Sequence, residues 1–423
     1  MRPATQTTMK PMNYVDRTLM CDGVALADIA AKAGTPCYVY SAATILANYR
    51  AYDDALQGAP HTICYALKAN GNLAILRLLA RAGAGFDIVS GGELYRVLKA
   101  GGDPAKVVFS GVGKTSEEID AGLAAGIFAF NCESEPELAL VDALAHRRGI
   151  QARVALRVNP DVAADTHAHI ATGSLGHKFG IDIGEAEAVY ERARQHENLL
   201  LEGVSCHIGS QQFDFEPMMK AADRVLELIA CLRAKGFDIR HVDLGGGLGV
   251  TYRPDEPAPP IAEFTAALRE KVAGYDLHLF LEPGRSIVGN SGVLLARVLY
   301  RKKSGDKEFV VVDAAMNDLI RPALYDAHHE ILPLRATANA SCGLRADVVG
   351  PVCESGDFLA QDRQMPEVFP GDLLAVCTTG AYGFAQASNY NARPRAAEVL
   401  IEDGSWRVIR KRETLDDLIR GEE

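Results

Sequence analysis

The segment TICYALKANGNLAILRLLARAGAGFDIVS (residues 62–90) contains the pattern that decides the fold. It begins with the apolar run TICYALK (62–68), continues with the amphipathic stretch NLAILRLLARAG (72–83), and closes with a second apolar run, FDIVS (86–90). Flat apolar runs are typical of parallel strands buried on both faces, and glycine commonly follows the end of a helix. The segment therefore predicts a strand–helix–strand unit with a right-handed crossover.

The same alternation continues as far as residue 284. Six further strands are predicted, namely VVFSG (107–111), IFAFNC (127–132), VALRVN (154–159), GVSCHIG (203–209), HVDLGGG (241–247) and HLFLEPG (278–284). Eight strands that alternate with helices over about 225 residues are the number that a (β/α)8 barrel of the TIM type requires. A doubly wound open sheet is the competing fold.

Polar residues and glycines follow several of the runs at the point where each strand ends. They are Lys68, Ser90, Asn159, His207, Glu282 and the glycines 245–247. In a (β/α)8 barrel the carboxyl ends of all strands converge on one face, where active sites are built, whereas in an open sheet the first and last strands lie far apart. The chemical fit of these residues to one ligand, described below, favours the barrel.

The pattern changes after residue 290. The runs there are strand-like, with turns between them, and include GVLLARVLYRKKS (292–304), KEFVVVDAA (307–315) and AEVLIED (397–403). They predict a mostly antiparallel β domain, a sandwich or barrel, over residues 291–423. Residues 1–41, which contain GTPCYVYS (34–41), are assigned to the same domain, and residues 42–290 to the barrel.

The composition argues against several classes of protein. Hydrophobic residues make up 48% and charged residues 23% of the 423, and the net charge is −11, so neither nucleic acid nor an anionic membrane is expected as a partner. The first residues lack the apolar core of a signal peptide, and no segment approaches the roughly 18 apolar residues of a membrane span. Nine cysteines occur without a C-x2-C pair, which predicts a cytoplasmic protein with reduced thiols.

Histidine pairs occur in THAHI (166–170) and at His328–His329. Neither pair has a third ligand at a suitable spacing, so no metal site is expected. The glycine-rich stretch DLGGGLGV (243–250) does not match G-x-G-x-x-G, because Val250 stands where the last glycine is required. It predicts either a backbone that approaches an anion closely or a tight turn with positive φ. His207 and the LEPGRSIV segment (281–288) taken alone also fit a core histidine and a salt-bridged loop.

Together, these residues suit pyridoxal 5'-phosphate (PLP). This cofactor requires an amine for its aldehyde, a cradle for its phosphate, and an anion that keeps its pyridine nitrogen protonated. Lys68 lies at the end of an apolar run, where desolvation is expected to lower the pKa of an amine and to expose its lone pair. The combination of lysine, glycine-rich turn, carboxylate and histidine is more specific for PLP than any one of these features.

The chain resembles the diaminopimelate decarboxylase family, in the alanine-racemase-like (fold type III) group of PLP enzymes. The resemblance runs nearly from end to end and is carried by YALKAN, GFDIVSGGEL, THAHIATGSLGHKFGI, CHIGSQ, DLGGGLGV, LEPGRSIV, VDAAMNDLIRPALYDAHHEI, VVGPVCESGDF, GAYG and SNYNARPR. These motifs are long and particular.

The resemblance implies a role for each of a set of residues. Lys68 forms the covalent link with PLP, Glu282 pairs with the ring nitrogen, and His207 stacks on the ring. The other cofactor contacts that it implies are Ser210, Gly245, Gly246, Gly247, Gly284, Arg285 and Tyr382. The implied substrate contacts are Arg285, Arg321, Tyr325, Glu354 and Tyr382, and the implied proton donor is Cys353. In this family Cys353 and Glu354 are contributed by the other subunit of a homodimer.

The implied reaction is the decarboxylation of meso-2,6-diaminopimelate to L-lysine and CO2. Two arginines, Arg285 and Arg321, suit a distal carboxylate, and Glu354 suits a distal ammonium. Three alternatives stay open at this point. They are a decarboxylase of D-lysine, ornithine or arginine, an amino-acid racemase, and a non-catalytic PLP-carrier protein, which the additional β domain disfavours.

Overall fold

The computed structural model describes residues 11–162, 178–336 and 343–423. The chain divides into two compact units. The barrel unit comprises Asn48–Val250 and Pro257–Ile287, and the β unit comprises Met1–Ala47, Thr251–Glu256 and Val288–Glu423. Within the described ranges no helix has both the length and the apolar character that crossing a membrane requires.

The strands are numbered in chain order over the described residues. They are β1 (Met12–Val15), β2 (Thr18–Cys21), β3 (Val24–Ala25), β4 (Cys37–Ser41), β5 (His61–Ala66), β6 (Gly85–Ile88), β7 (Val107–Phe109), β8 (Ala129–Cys132), β9 (Ala152–Asn159), β10 (Ile181–Asp182), β11 (Leu199–Ser205), β12 (His241–Asp243), β13 (His278–Leu281), β14 (Gly292–Ser304), β15 (Lys307–Val312), β16 (Ile331–Pro333), β17 (Gly343–Val349), β18 (Phe358–Pro366), β19 (Leu373–Val376), β20 (Ala397–Glu402) and β21 (Ser405–Arg410).

The helices are numbered in the same way. They are α1 (Leu26–Ala33), α2 (Ala42–Ala55), α3 (Leu73–Arg81), α4 (Gly91–Ala100), α5 (Ser116–Ala125), α6 (Glu135–Arg148), α7 (Ile183–Ala193), α8 (Glu216–Ala234), α9 (Ile261–Val272), α10 (Arg285–Val288), α11 (Arg321–Tyr325) and α12 (Leu415–Leu418).

Eight parallel strands of the barrel unit close into a ring. Their order is β9-β11-β12-β13-β5-β6-β7-β8, and the pairing of β8 with β9 completes the circle. The short strand β10 pairs with β9 in addition to this ring. The predicted (β/α)8 barrel is therefore confirmed, and the open sheet is excluded.

Local signals in the sequence begin and end the helices of the barrel. Asn72 caps α3 by accepting a hydrogen bond from the Ala74 N–H, and Ser90 caps α4 in the same way from Glu93. Helix α4 ends at Gly101, which adopts the left-handed conformation with φ of 81° that glycine reaches without strain. Ser90, one of the polar residues at predicted strand ends, thus serves as a helix cap.

The described part of the β unit contains two sheets. One has three strands in the order β1-β2-β3, and the larger one follows the order β18-β17-β15-β14-β4-β20-β21, with β19 pairing to β14 and β16. In the larger sheet β15–β17 and β20–β4 are the parallel pairs, and the remaining pairings are antiparallel. The prediction of a mostly antiparallel second domain is confirmed.

Strand β18 is absent from the sequence-based prediction. Its sequence, FLAQDRQMP, lacks a continuous apolar run, and it ends the sheet order as an edge strand that pairs with β17. The register of this pairing shifts twice, and Asp362 takes a positive φ of 48° within the strand. Apolar periodicity is a weak signal for such a strand, because the neighbouring strand supplies its pairing.

A buried histidine lies in the aromatic layer at the amino-terminal ends of the barrel strands. His241 begins β12, is 3% exposed, and meets the rings of Phe128 and Phe280 edge-on at centroid distances of 5.1 and 5.7 Å. Burial lowers the pKa of His241 to about 3, and the positive charge of Arg153 acts in the same direction. The folded barrel therefore keeps this imidazole neutral.

We expect His241 to make the barrel sensitive to acid. Between pH 6.5, where a histidine of the unfolded chain titrates, and pH 3, the unfolded chain binds a proton that the folded chain excludes, so stability falls as the pH falls. From pH 7 to pH 4.5 this group removes about 2–3 kcal/mol from the free energy of unfolding. Urea unfolding at both pH values should show a smaller loss for His241→Phe.

The matched control is His146→Gln, at an exposed position of α6. It should keep the pH dependence of the parent chain. If His241→Phe loses as much stability on acidification as the parent does, His241 is not the source of the acid sensitivity.

Candidate active site

Lys68 stands just beyond β5, in a short 3-10 turn over Leu67–Ala69. Its Nζ lies 2.9 Å from Oδ2 of Asp87, a fully buried side chain on β6. The Lys68 side chain is 38% exposed, and the lowered pKa expected for this amine stays a prediction. The neighbouring strand supplies the carboxylate, which holds the nitrogen in an ion pair at the end of the barrel where the strands finish.

A buried hydrogen-bond network surrounds Glu282, which follows β13. Oε1 of Glu282 accepts from the Ser110 hydroxyl at 3.1 Å and from Nδ2 of Asn131 at 3.2 Å. The same Nδ2 lies 3.0 Å from Oδ2 of Asp243, the last residue of β12. The Asn131 amide therefore bridges two carboxylates.

The carboxylates of this network are unusually basic. Burial raises the pKa of Glu282 well above its ordinary value, and the charges of Asp243 and Asp87 raise it further. Burial also raises the pKa of Asp243. A positively charged group at this position would stabilise the ionised carboxylates, and a protonated pyridine nitrogen is such a group.

His207 and the glycine turn follow β11 and β12. The Gly246 N–H donates to Nδ1 of His207 at 3.3 Å, which assigns the proton of a neutral imidazole to Nε2. Burial lowers the pKa of His207 well below its ordinary value, and the charges of Lys68 and Arg157 contribute. The ring is therefore an uncharged flat surface, which suits stacking on an aromatic cofactor.

The glycine turn has no room for side chains. Gly245 and Gly247 take φ values of +66° and +120°, and a Cβ on Gly246 would collide with the carbonyl oxygen of Glu282. The backbone amides of such a turn can approach a ligand closely. Of the two interpretations that the sequence left open, the positive-φ turn is observed, and it is compatible with binding an anion.

Ser210 and Arg285 complete the polar groups at this end of the barrel. The Ser210 hydroxyl accepts from Nη2 of Arg285 at 3.1 Å and from Nε at 3.3 Å. A Cβ on Gly284 would press on the Cβ atoms of Ala66 and Ala69, at 3.0 and 3.1 Å. A hydroxyl, a guanidinium and glycine turns are a donor set that suits a phosphate, so the barrel residues together fit PLP.

The remaining predicted residues belong to the β unit. Arg321 begins α11 and is 6% exposed, and Tyr325 ends this helix with its hydroxyl 3.4 Å from Nε2 of Gln386. Tyr382 takes a φ of 55°, a conformation that is strained for a tyrosine. Arg321 and Tyr325 are thus brought onto one helical turn.

Cys353 and Glu354 share an exposed turn of the β unit. The Cys353 N–H donates to Oδ1 of Asn391 at 2.8 Å, and Oε2 of Glu354 accepts from the Tyr390 hydroxyl at 3.2 Å. Asp357 holds the turn in place, because its carboxylate accepts from the Val352 N–H at 2.7 Å. The turn therefore presents a thiol and a carboxylate at the surface of the unit.

Sequence reasoning missed several residues that contact the predicted site residues, among them Asp87, Asn131 and Asp243 in the barrel. Each is the one acid or amide within a predicted buried strand, in FDIVS, IFAFNC and HVDLGGG. An acid or amide within an apolar run could have indicated these residues, because a buried polar group requires a hydrogen-bond or charge partner.

Within the described residues, which include His328–His329, no group of three or more His, Cys, Asp or Glu is arranged to hold a metal ion. THAHI lies outside the described residues. His328 instead accepts from Nη2 of Arg363 at 3.0 Å, and His329 contacts Arg321.

Comparisons with known proteins agree with this arrangement. The family model of the pyridoxal-dependent decarboxylases, pyridoxal binding domain, matches residues 42–289. The chain is 55% identical over 414 residues to the diaminopimelate decarboxylase of Pseudomonas aeruginosa, covering 98% of this chain and 99% of the relative. It is 50% identical over 412 residues to that of Vibrio cholerae, covering 97% and 98%.

Among solved structures, the chain is also similar to diaminopimelate decarboxylases. Diaminopimelate decarboxylase from Helicobacter pylori, complexed with L-lysine, superposes with a TM-score of 0.89 at 43% identity, covering 93% of this chain and 98% of that one. The M. jannaschii enzyme, also in complex with L-lysine, gives a TM-score of 0.93 at 38% identity, covering 98% of both chains. The chain belongs to the diaminopimelate decarboxylase family of pyridoxal-dependent decarboxylases.

Proposed function

We propose that the chain is a carboxy-lyase that uses PLP to convert meso-2,6-diaminopimelate to L-lysine and CO2, the last step of lysine biosynthesis. The observation that carries the proposal is the set of Lys68, Glu282 and the glycine turn 245–247 at one end of the barrel, in a chain 55% identical to a diaminopimelate decarboxylase. Two solved relatives bind L-lysine, the product of this reaction. These findings favour diaminopimelate over D-lysine, ornithine or arginine as the substrate.

The barrel residues bind and tune the cofactor. When bound, PLP supplies an aldehyde that reacts with amines and a protonated ring that accepts the electron pair left on the substrate carbon when CO2 departs. Lys68 provides the amine for attachment, and Glu282 maintains the protonation of the ring nitrogen. His207 would stack on the ring. Ser210, Arg285, the glycine turn and Gly284 would hold the phosphate, to which we also assign Tyr382.

The fixed network around Glu282 supports its role. Ser110 and Asn131 hold the carboxylate by hydrogen bonds of 3.1 and 3.2 Å, so its orientation does not depend on solvent. Bonds donated to the carboxylate favour its ionised form and oppose the effect of burial on its pKa. Because the Glu282 carboxylate is already oriented, the protein needs little rearrangement when charge develops on the cofactor ring during the reaction.

The residues of the β unit recognise the substrate. We assign Arg321 and Tyr325, as well as Arg285, to the distal carboxylate and Glu354 to the distal ammonium, and Tyr382 is a further substrate contact. A planar guanidinium can hold a carboxylate by two parallel hydrogen bonds. Cys353 gives a proton to the carbon that has lost CO2. The exposed turn with both Cys353 and Glu354 supports a function in which these residues meet another molecule.

That other molecule is a second copy of the chain. In the proposed homodimer the β unit provides dimer and substrate contacts, and each subunit's Cys353 and Glu354 complete the partner's site. The enzyme acts in the cytoplasm, which is supported by eight unpaired cysteines within the described residues.

The cofactor assignment is tested by reduction of the purified protein with borohydride. The stable label is expected on Lys68, and Lys68→Ala should lose it together with turnover, which falls by about 1,000-fold or more. Lys114 is an internal control, because its fully buried ammonium pairs with Glu137 and should stay unlabelled. A protein that takes up no PLP, or that carries the label elsewhere, contradicts the assignment.

The proton donor is tested with Cys353→Ala. Loss of a general acid costs roughly 100-fold or more in turnover, while the absorbance of bound PLP should not change. Cys231→Ala is the control, since this cysteine is exposed on α8 of the barrel unit. Unchanged turnover in Cys353→Ala would remove its role.

Substrate recognition is tested with Arg321→Ala. Losing charge-assisted hydrogen bonds to the distal carboxylate should raise KM for diaminopimelate about 10- to 100-fold. CO2 release should also be measured with D-lysine, ornithine and arginine, which lack this carboxylate. Faster release from one of them, or loss of optical activity without CO2, would point to another decarboxylase or to a racemase.

A further inference from the structure

A fully buried histidine contacts the guanidinium of Arg321. His329 is 0% exposed, and its Nε2 accepts from Nη1 of Arg321 at 3.0 Å. Its Nδ1 lies 2.8 Å from the carbonyl oxygen of Cys377. An arginine can only donate and a carbonyl can only accept, so the two bonds require a neutral imidazole with its proton on Nδ1.

An aromatic ring restrains the same guanidinium from a second direction. The central carbon of the Arg321 guanidinium lies 4.5 Å from the centre of the Tyr252 ring, within the range of a cation–π interaction. The rings of Tyr252 and His329 meet edge to face, with centroids 5.3 Å apart. Arg321 is therefore held by a hydrogen bond from Nη1 to His329 and by the Tyr252 ring, over which its guanidinium carbon lies.

We propose that His329 is a positioning residue for substrate recognition, which orients Arg321 for the distal carboxylate of the substrate. The inference rests on the proposed function, which assigns Arg321 to that carboxylate. An arginine side chain loses much rotational freedom on binding, and an orientation set in advance reduces that cost. A two-point contact with a carboxylate also requires the plane of the guanidinium to be fixed.

The uncharged state of the His329 imidazole is important for positioning Arg321. An aspartate or glutamate in place of His329 would also orient Arg321, but it would neutralise the positive charge that attracts the substrate carboxylate. A neutral imidazole accepts a hydrogen bond and leaves the charge of the guanidinium available. The bond to the Cys377 carbonyl secures this form, because it holds the proton on Nδ1 and keeps the lone pair of Nε2 toward Arg321.

Two amide substitutions separate the two hydrogen bonds of His329. The Asn amide reaches the position of Nδ1, so His329→Asn keeps a donor for the Cys377 carbonyl but lacks an acceptor for Arg321. The longer Gln reaches the position of Nε2, so His329→Gln keeps an acceptor for Arg321. We expect His329→Asn to raise KM for meso-diaminopimelate about tenfold or more, with kcat within about threefold, and His329→Gln to stay within about threefold of the parent in both.

Two controls test whether His329 acts through Arg321. The adjacent His328 contacts Arg363 and Glu330, so His328→Asn should leave KM unchanged. In an Arg321→Ala background, His329→Asn should have no further effect on KM, because the group that it positions is gone. The absorbance of bound PLP should be the same in all variants.

A normal KM in His329→Asn, with a raised KM in Arg321→Ala, overturns the inference and leaves the proposed function standing. Equal losses of kcat and thermal stability in His329→Asn and His329→Gln also overturn it, because they indicate a purely structural role. A normal KM in Arg321→Ala instead removes the assignment of Arg321, and the inference with it.

Discussion

Closure of the parallel barrel is the constraint on which the cofactor residues depend. The eight strands run in one direction, and pairing of Phe130 on β8 with Val154 on β9 completes the ring. Every strand then ends at the same end of the unit, so residues that are distant in sequence become neighbours. Ser110 and Glu282 are separated by 172 positions, yet their side chains are joined by a hydrogen bond of 3.1 Å.

The barrel keeps buried charge at this end, at a cost to its own stability. Burial removes Asp243 and Glu282 from water and raises the pKa of both, and the charge of Asp243 raises that of Glu282 further, which is unfavourable for a folded protein unless partners compensate. The Asn131 amide and the Ser110 hydroxyl provide part of that compensation. A cation that binds there stabilises the folded state by mass action, so the destabilised carboxylates favour a positively charged cofactor ring.

Three histidines illustrate how partners decide the state of one side-chain type. His207 accepts a backbone hydrogen bond, His329 accepts one from Arg321, and His241 lies in an aromatic layer. All three are neutral, but for different reasons and with different consequences. The first provides a flat surface, the second orients a guanidinium, and the third is expected to make the barrel sensitive to acid.

The sequence by itself determined the fold class and the candidate residues at the strand ends, because apolar runs, glycines and the polar residues after them are local signals. It did not predict the ion pair of Lys68 with Asp87, the carboxylate network of Asn131, or the bond from Arg321 to His329. Asp87 and Asn131 lie inside apolar runs, and their partners come from other strands of the barrel. Such contacts exist only after the strands have paired in a definite order, so the tertiary structure decided them.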